Sequence, residues 1–189
     1  MTNRYIARGS ASNDPSRFLH HKVILKEESD AIDEKLLQSV NIMTKFYPDK
    51  TKTILTRNQS PDIGFSTSIN PYKGCEHGCV YCFARPTHAY LDLSPGLDFE
   101  SRIFYKTNAA ELLQQELNKN SYVCTPIALG TNTDPYQPGE KKLEVTRQLL
   151  TVLFDRRHPL TIVTKSTLIE RDLDLLIELA QHNLVSVNI

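Results

Sequence analysis

The 189-residue chain is short of several things at once, and each shortage excludes a class of protein. It has no long apolar run, so nothing in it reads as a membrane span, which needs roughly 20 consecutive apolar residues. Its start, Met1-Thr2-Asn3-Arg4-Tyr5-Ile6-Ala7, lacks the apolar centre of a secretory leader. Neither charge is in surplus: 22 basic side chains face 22 acidic ones, without the positive footprint that bulk nucleic-acid binding leaves on a sequence. No repeat or low-complexity tract interrupts it. With 40% hydrophobic residues, these absences lead to the expectation of a soluble, cytoplasmic protein with a packed core and no membrane partner.

Cysteine is also scarce, and its placement is the most informative feature. Of four cysteines, three fall within the eight residues Cys75-Glu76-His77-Gly78-Cys79-Val80-Tyr81-Cys82. Thiolates spaced by three and two residues can turn inward from one loop onto a single metal centre. Cys124 lies more than forty residues downstream. An iron-sulfur cube held at the loop would therefore keep one iron without a protein thiolate. A structural zinc site wants four closed ligands, and a second Cys or His pair is missing, although His77 or His88 remains open as a fourth ligand. A disulfide framework fits poorly without a secretory leader.

Organisation changes near residue 64. Residues 1–64 read as a lead-in rich in turn formers and draped over the domain, with a strand over Lys22–Leu25 and a basic stretch (Arg4, Arg8, Arg17, Lys22, Lys26) expected to be a solvated arm. From residue 65 to 189 strands and helices alternate: strands at Phe65–Asn70, Pro126–Gly130, Leu160–Thr164 and from Leu184, and helices at Ala109–Leu117, Lys142–Phe154 and Leu168–His182. Asn108 is expected to cap the first helix and Thr167 with Glu170 to form a capping box for the last. In that last helix Leu173, Leu176, Ile177 and Ala180 predict a core-facing stripe. The unbroken apolar strands predict a parallel α/β sheet covered on both faces.

In such folds ligands gather at the carboxyl ends of strands. The cysteine loop follows the first strand of the core, Thr131-Asn132-Thr133-Asp134 the second, and Lys165-Ser166 the third. Each has an ordinary alternative: a self-bonded Asn/Asp turn, or a strand-end lysine in water.

Cys75, Cys79 and Cys82, with Tyr81 before the last cysteine and Phe83 after it, resemble the signature of radical S-adenosylmethionine (SAM) enzymes. The strings Ser68-Ile69-Asn70-Pro71-Tyr72-Lys73-Gly74, Ala84-Arg85-Pro86-Thr87-His88-Ala89-Tyr90, Ala128 to Pro138 and Ile162-Val163-Thr164-Lys165-Ser166 resemble, more narrowly, the bacterial subgroup grouped with spore photoproduct lyase and labelled DNA repair photolyase-like. The resemblance runs from about Thr53 to the end of the chain. It implies a partial (β/α) TIM-barrel-like parallel sheet with about four strand units present, a 4Fe-4S cluster on Cys75, Cys79 and Cys82, and SAM chelating the open iron. By the same resemblance Tyr81 and Phe83 flank the adenine, Lys165 meets the carboxylate or ribose, Thr131 and Asn132 stand where the amino contacts belong, and Ser186 touches the cosubstrate. Plain core packing around the loop is the alternative for Tyr81 and Phe83. An electron from a donor such as a flavodoxin or ferredoxin would cleave SAM to methionine and a 5′-deoxyadenosyl radical, which abstracts hydrogen from a substrate, nucleic-acid-related in this subgroup.

The pattern departs from the family in three ways. Gly130-Thr131-Asn132-Thr133 replaces the Gly-Gly-Glu run, Cys124 does not match the lyase's hydrogen-donating cysteine, and the strands are fewer than a partial barrel carries. The chain is therefore expected to be the N-terminal part of a longer enzyme, with an apolar edge exposed on its last strand. A non-catalytic iron-sulfur or zinc protein, or an inactive truncated remnant, is the alternative.

Overall fold

The computed structural model describes residues 8–10, 12–15 and 43–189. The strand expected at Lys22–Leu25 lies outside the described residues, as does most of the basic stretch. The strands are β1 (Lys45–Asp49), β2 (Thr56–Arg57), β3 (Thr67–Ile69), β4 (Tyr72–Lys73), β5 (Arg102–Lys106), β6 (Ile127–Leu129), β7 (Leu160–Val163) and β8 (Val185–Asn188). The helices are α1 (Leu97–Ser101), α2 (Ala109–Leu117), α3 (Glu140–Leu143), α4 (Val145–Asp155) and α5 (Leu173–Gln181). Two compact units result, one of Lys73–Ile103 with the described residues up to Tyr47, the other of Pro48–Tyr72 and Phe104–Ile189. We call them the cysteine unit and the sheet unit.

The sheet unit is built on a sheet of order β2-β3-β6-β7-β8. β3, β6, β7 and β8 run parallel, with Ile69 opposite Leu129 and Leu129 opposite Ile162. β2 adds an antiparallel edge that the alternation did not predict. The expected parallel α/β sheet is present, and the described residues form no closed barrel: β2 and β8 are its free ends. All of β3 and β6 is buried, as expected for strands covered on both faces. Leu113, Leu149, Leu150 and Leu153, from α2 and α4, are fully buried, and the two helices pack together. At the far edge Val187 of β8 and Ile189 just after it are exposed. No described helix is long and apolar enough to cross a membrane.

Tertiary polar contacts moved several expected boundaries. The helix read as Lys142–Phe154 breaks at Glu144, which adopts φ 54°, and α4 starts only at Val145. The buried Glu140 carboxylate accepts from the backbone N–H of Thr146 and Arg147 and so closes the amino end of α4 from outside the helix. The last helix also divides, into a 3₁₀ turn over Thr167–Asp172 and then α5. Its cap is Ser166, whose side chain accepts from Leu168 N–H, so the Thr167–Glu170 box does not form. Asn108 makes no side-chain cap for α2, because its amide donates to Thr51 O. In α5 the buried positions are Leu176 and Leu179, while Leu173 and Ile177 are about half exposed and Ala180 is exposed. α5 meets α4 and β8, and of the predicted stripe only Leu176 is buried.

Candidate metal centre

In the cysteine unit the loop after β4 turns tightly. Gly78 sits at φ +64°, a conformation that side-chain-bearing residues rarely adopt. Cys75 is buried against Ala84 and Phe99, with Cys82 packed on the same cluster and Cys79 half-buried. Backbone bonds hold the loop: Cys75 N–H donates to Phe99 O (2.9 Å) and Cys82 N–H to Cys79 O (3.3 Å). Arg85 then grips the Cys79 carbonyl with Nε (3.1 Å) and Nη2 (3.0 Å), and its guanidinium pairs with the buried Glu100 at 2.5 Å. None of the four cysteines is in a disulfide, and Cys124 stands exposed in the sheet unit.

His88 is not placed as a fourth zinc ligand. Its ring is fully buried edge-on to Phe99, with Nε2 at 3.0 Å from Arg102 O, and burial lowers its pKa so that it is held neutral. His77 is half-buried within the loop. Tyr81 and Phe83 are 82% and 76% exposed, which removes core packing as their role; Val80 and Tyr90 are exposed with them. Arg8, expected as part of a solvated arm, instead donates to Glu100 O (2.8 Å) and lies 3.5 Å from Glu76.

In the sheet unit the carboxyl ends of three strands are knitted into one rim. Asn70, just after β3, donates through Nδ2 to Thr131 Oγ1 (3.1 Å) and accepts from Asn132 N–H (2.8 Å). Asp134 joins β6 to β7: it accepts from Thr164 Oγ1 (2.7 Å), Lys165 N–H (3.0 Å) and, as an Asx turn, Tyr136 N–H (2.8 Å). Thus Asp134 is at once the self-bonded turn residue and the brace for Lys165. Thr131 is half-buried, while Asn132 and Lys165 are exposed. Ser186 pairs with Thr161 inside β8, two residues before the strand's end, and is exposed. The sequence placed Asp134 on this rim within residues 131–134, but Asn70 and Thr164, each one residue past an apolar strand, were missed as positioning groups.

The family model of the Radical SAM superfamily matches residues 69–189. The chain belongs to the radical SAM superfamily. An uncharacterized protein of Mycobacterium tuberculosis (strain H37Rv) is 48% identical over 123 residues, 65% of this chain and 36% of that protein. An uncharacterized protein of Mycobacterium bovis matches to the same extent. An uncharacterized protein of Methanocaldococcus jannaschii is 35% identical over 107 residues, 57% of this chain and 38% of its own length. These stretches are well under two thirds of the relatives' lengths. No solved structure matches the chain.

Radical SAM proteins generally use an iron-sulfur cluster, SAM and a reductant. The cysteine loop of this radical SAM chain fits such a cluster by its donor set: three cysteines outside any disulfide on one short loop, soft ligands suited to iron-sulfur chemistry. Among the described residues no three Cys, His, Asp or Glu side chains stand together as a metal-holding group.

A second polar centre, in the sheet unit, is structural. Glu140, fully buried, accepts from the Tyr72 hydroxyl and pairs with Arg171 at 2.8 Å; Arg171 also pairs with the buried Asp172, as does Arg147 at 3.1 Å. Burial, reinforced by the Glu140 carboxylate, pushes the Tyr72 phenol far up, so it remains a hydrogen-bond donor at all working pH.

Proposed function

We propose that this chain holds a 4Fe-4S cluster through Cys75, Cys79 and Cys82 and serves reductive cleavage of SAM for hydrogen abstraction. The observation that carries the reading is the count of cysteines at the loop: three, none in a disulfide, with Cys124 exposed in the other unit, would leave one iron of such a cluster without a protein thiolate. The chemistry supplied by a cluster with SAM on its open iron is one-electron cleavage of the sulfonium to a 5′-deoxyadenosyl radical.

The chain's own residues have binding and positioning tasks. The exposed rings of Tyr81 and Phe83 offer faces for the adenine. Lys165, its backbone fixed by Asp134, offers a cation to the carboxylate or ribose, and Thr131 and Asn132 offer polar atoms to the amino group. Ser186, exposed on β8, is assigned a further contact. Burial of Cys75 and the Arg85 bonds to the Cys79 carbonyl hold the loop and shield its inner side from water. A flavodoxin or ferredoxin would supply the electron, and the resemblance to the lyase subgroup adds a nucleic-acid-related substrate.

Anaerobic reconstitution followed by electron paramagnetic resonance tests the reading. The signal of the reduced cluster is expected to change when SAM is added, since that requires an open iron. A cluster indifferent to SAM, or zinc bound in place of iron, would move the chain to the non-catalytic class.

A further inference from the structure

Within the cysteine unit, residues 8–10 and 12–15 run along the cysteine loop and α1 at backbone distance. A Cβ added to Gly9 would stand 1.7 Å from Gly78 O, and one added to Gly78 would stand 2.5 Å from the Arg8 Cβ. No side-chain adjustment relieves the first clash, because the struck atom is a backbone carbonyl. Farther along, Leu97 N–H donates to Ser12 O (3.2 Å), Asn13 and Asp98 exchange two bonds (3.2 and 3.0 Å), and the Ser94 hydroxyl donates to Asp14 O. These bonds bridge 80 to 85 residues of sequence.

The bonds that matter most reach the cysteines themselves. Gly9 N–H donates to Glu100 Oε2 (3.2 Å), while Glu100 Oε1 holds Arg85, whose guanidinium grips the Cys79 carbonyl. Arg8 lies against Glu76, the residue after Cys75, and also donates to Glu100 O and Thr44 Oγ1. Glu76 and Glu100 are 6% and 1% exposed, so these carboxylates depend on such partners. The loop tip, the Cys79 carbonyl and the neighbour of Cys75 are therefore tied to one short segment some seventy residues upstream.

We infer that Arg8 and Gly9 are positioning residues for the cluster: docking of their segment on Gly78 and Glu100 sets the shape of the loop that carries Cys75, Cys79 and Cys82. This rests on the proposal that the loop holds a cluster. A network one shell out from the ligands controls how well they present themselves and how readily solvent reaches the metal.

The test uses the full chain as Gly9→Ala, Arg8→Ala and Arg8→Lys. Hydrogen exchange of residues 74–82 is followed in the metal-free protein, and iron uptake and iron loss in air after reconstitution. In Gly9→Ala, exchange in the loop is expected to speed up and iron affinity to fall about tenfold or more, while exchange in β6 and β7 stays as in the parent. Arg8→Ala, which deletes atoms and cannot clash, is expected to move both readouts the same way by less; Arg8→Lys, keeping the charge beside Glu76, recovers part. If Gly9→Ala fails to fold, Arg8→Ala decides alone. Parent-like iron retention in the folded variants overturns the inference and leaves the cluster standing. A parent chain that takes up no iron overturns the proposed function, and this inference with it.

Discussion

In the cysteine unit the buried side chains include Glu76, His88, Ser94, Glu100 and Ser101 beside a small apolar set of Cys75, Ala84, Phe99 and Ile103. In the sheet unit burial is mostly aliphatic: Ile69, Leu113, Ile127, Leu129, Leu149, Leu150, Leu153 and Ile162 are at most 1% exposed. Aliphatic burial is non-directional and scales with area, so a neighbour of similar volume serves nearly as well. Burial of carboxylates and imidazole is directional, and each group must meet its own donor or acceptor. Among the described residues the sheet unit also holds a charged network around the buried Glu140 and Asp172, with Arg171 and Arg147. Specific partners thus hold the region that carries the cysteines, and bulk burial holds the region that carries the rim.

Iron should separate the two units most sharply. Cys75→Ala, Cys79→Ala and Cys82→Ala are each expected to abolish iron and sulfide loading, whereas Cys124→Ala and His77→Ala load normally, by metal analysis after anaerobic reconstitution. Equal loss in Cys124→Ala would show a site closed by four thiolates and would end the radical reading.

Stability comes next. Glu100→Ala strands the Arg85 guanidinium, largely buried, and is expected to cost about 3 kcal/mol in urea unfolding followed by circular dichroism. Leu149→Ala, in the sheet unit, should cost about as much through its cavity. The comparison is sharpened by conservative swaps: Leu149→Met should cost under about 1.5 kcal/mol. Glu100→Gln, which loses the charge that Arg85 requires, should recover little. A Glu100→Gln variant as stable as the parent would erase the distinction between the units.

A smaller effect is expected at the rim. Lys165→Ala should weaken SAM binding about tenfold, the worth of one charge-assisted bond, and leave iron content unchanged. Unaltered affinity in a titration followed by the cluster's resonance signal would return Lys165 to an ordinary strand-end lysine.

The smallest effect concerns pH. His158, buried in the sheet unit between the Tyr122 hydroxyl (2.7 Å) and Pro159 O (2.9 Å), has its pKa lowered by burial. A lowered pKa means that the folded state binds the proton less well than the unfolded one, whose value is near 6.5. Its contribution is therefore fully present above about pH 6.5 and declines as the pH falls through the folded value, by at most about 1.4 kcal/mol per pH unit. His158→Gln should flatten that part of the stability profile; an unchanged slope would show that the ring does not titrate with unfolding.

By itself the sequence determined what depends on neighbours in the chain. Apolar runs placed β3, β6, β7 and β8, and helix α2 falls at Ala109–Leu117 as its pattern predicts, because period and hydrophobicity are local properties. The three-cysteine spacing pointed to a metal loop for the same reason. What only the tertiary structure decided involves partners far apart in sequence. Glu140 caps α4 inside what was predicted as one helix, Lys142–Phe154, and the Asp172 carboxylate, at the junction of the 3₁₀ turn and α5, is taken up by Arg147 and Arg171. Asn70 and Asp134 braced the rim, and Arg8 and Gly9, read as part of a solvated arm, came to rest on the cysteine loop. Such long-range polar pairing leaves no periodic trace in a sequence, because a carboxylate that will be buried and one that will face water are written with the same letter.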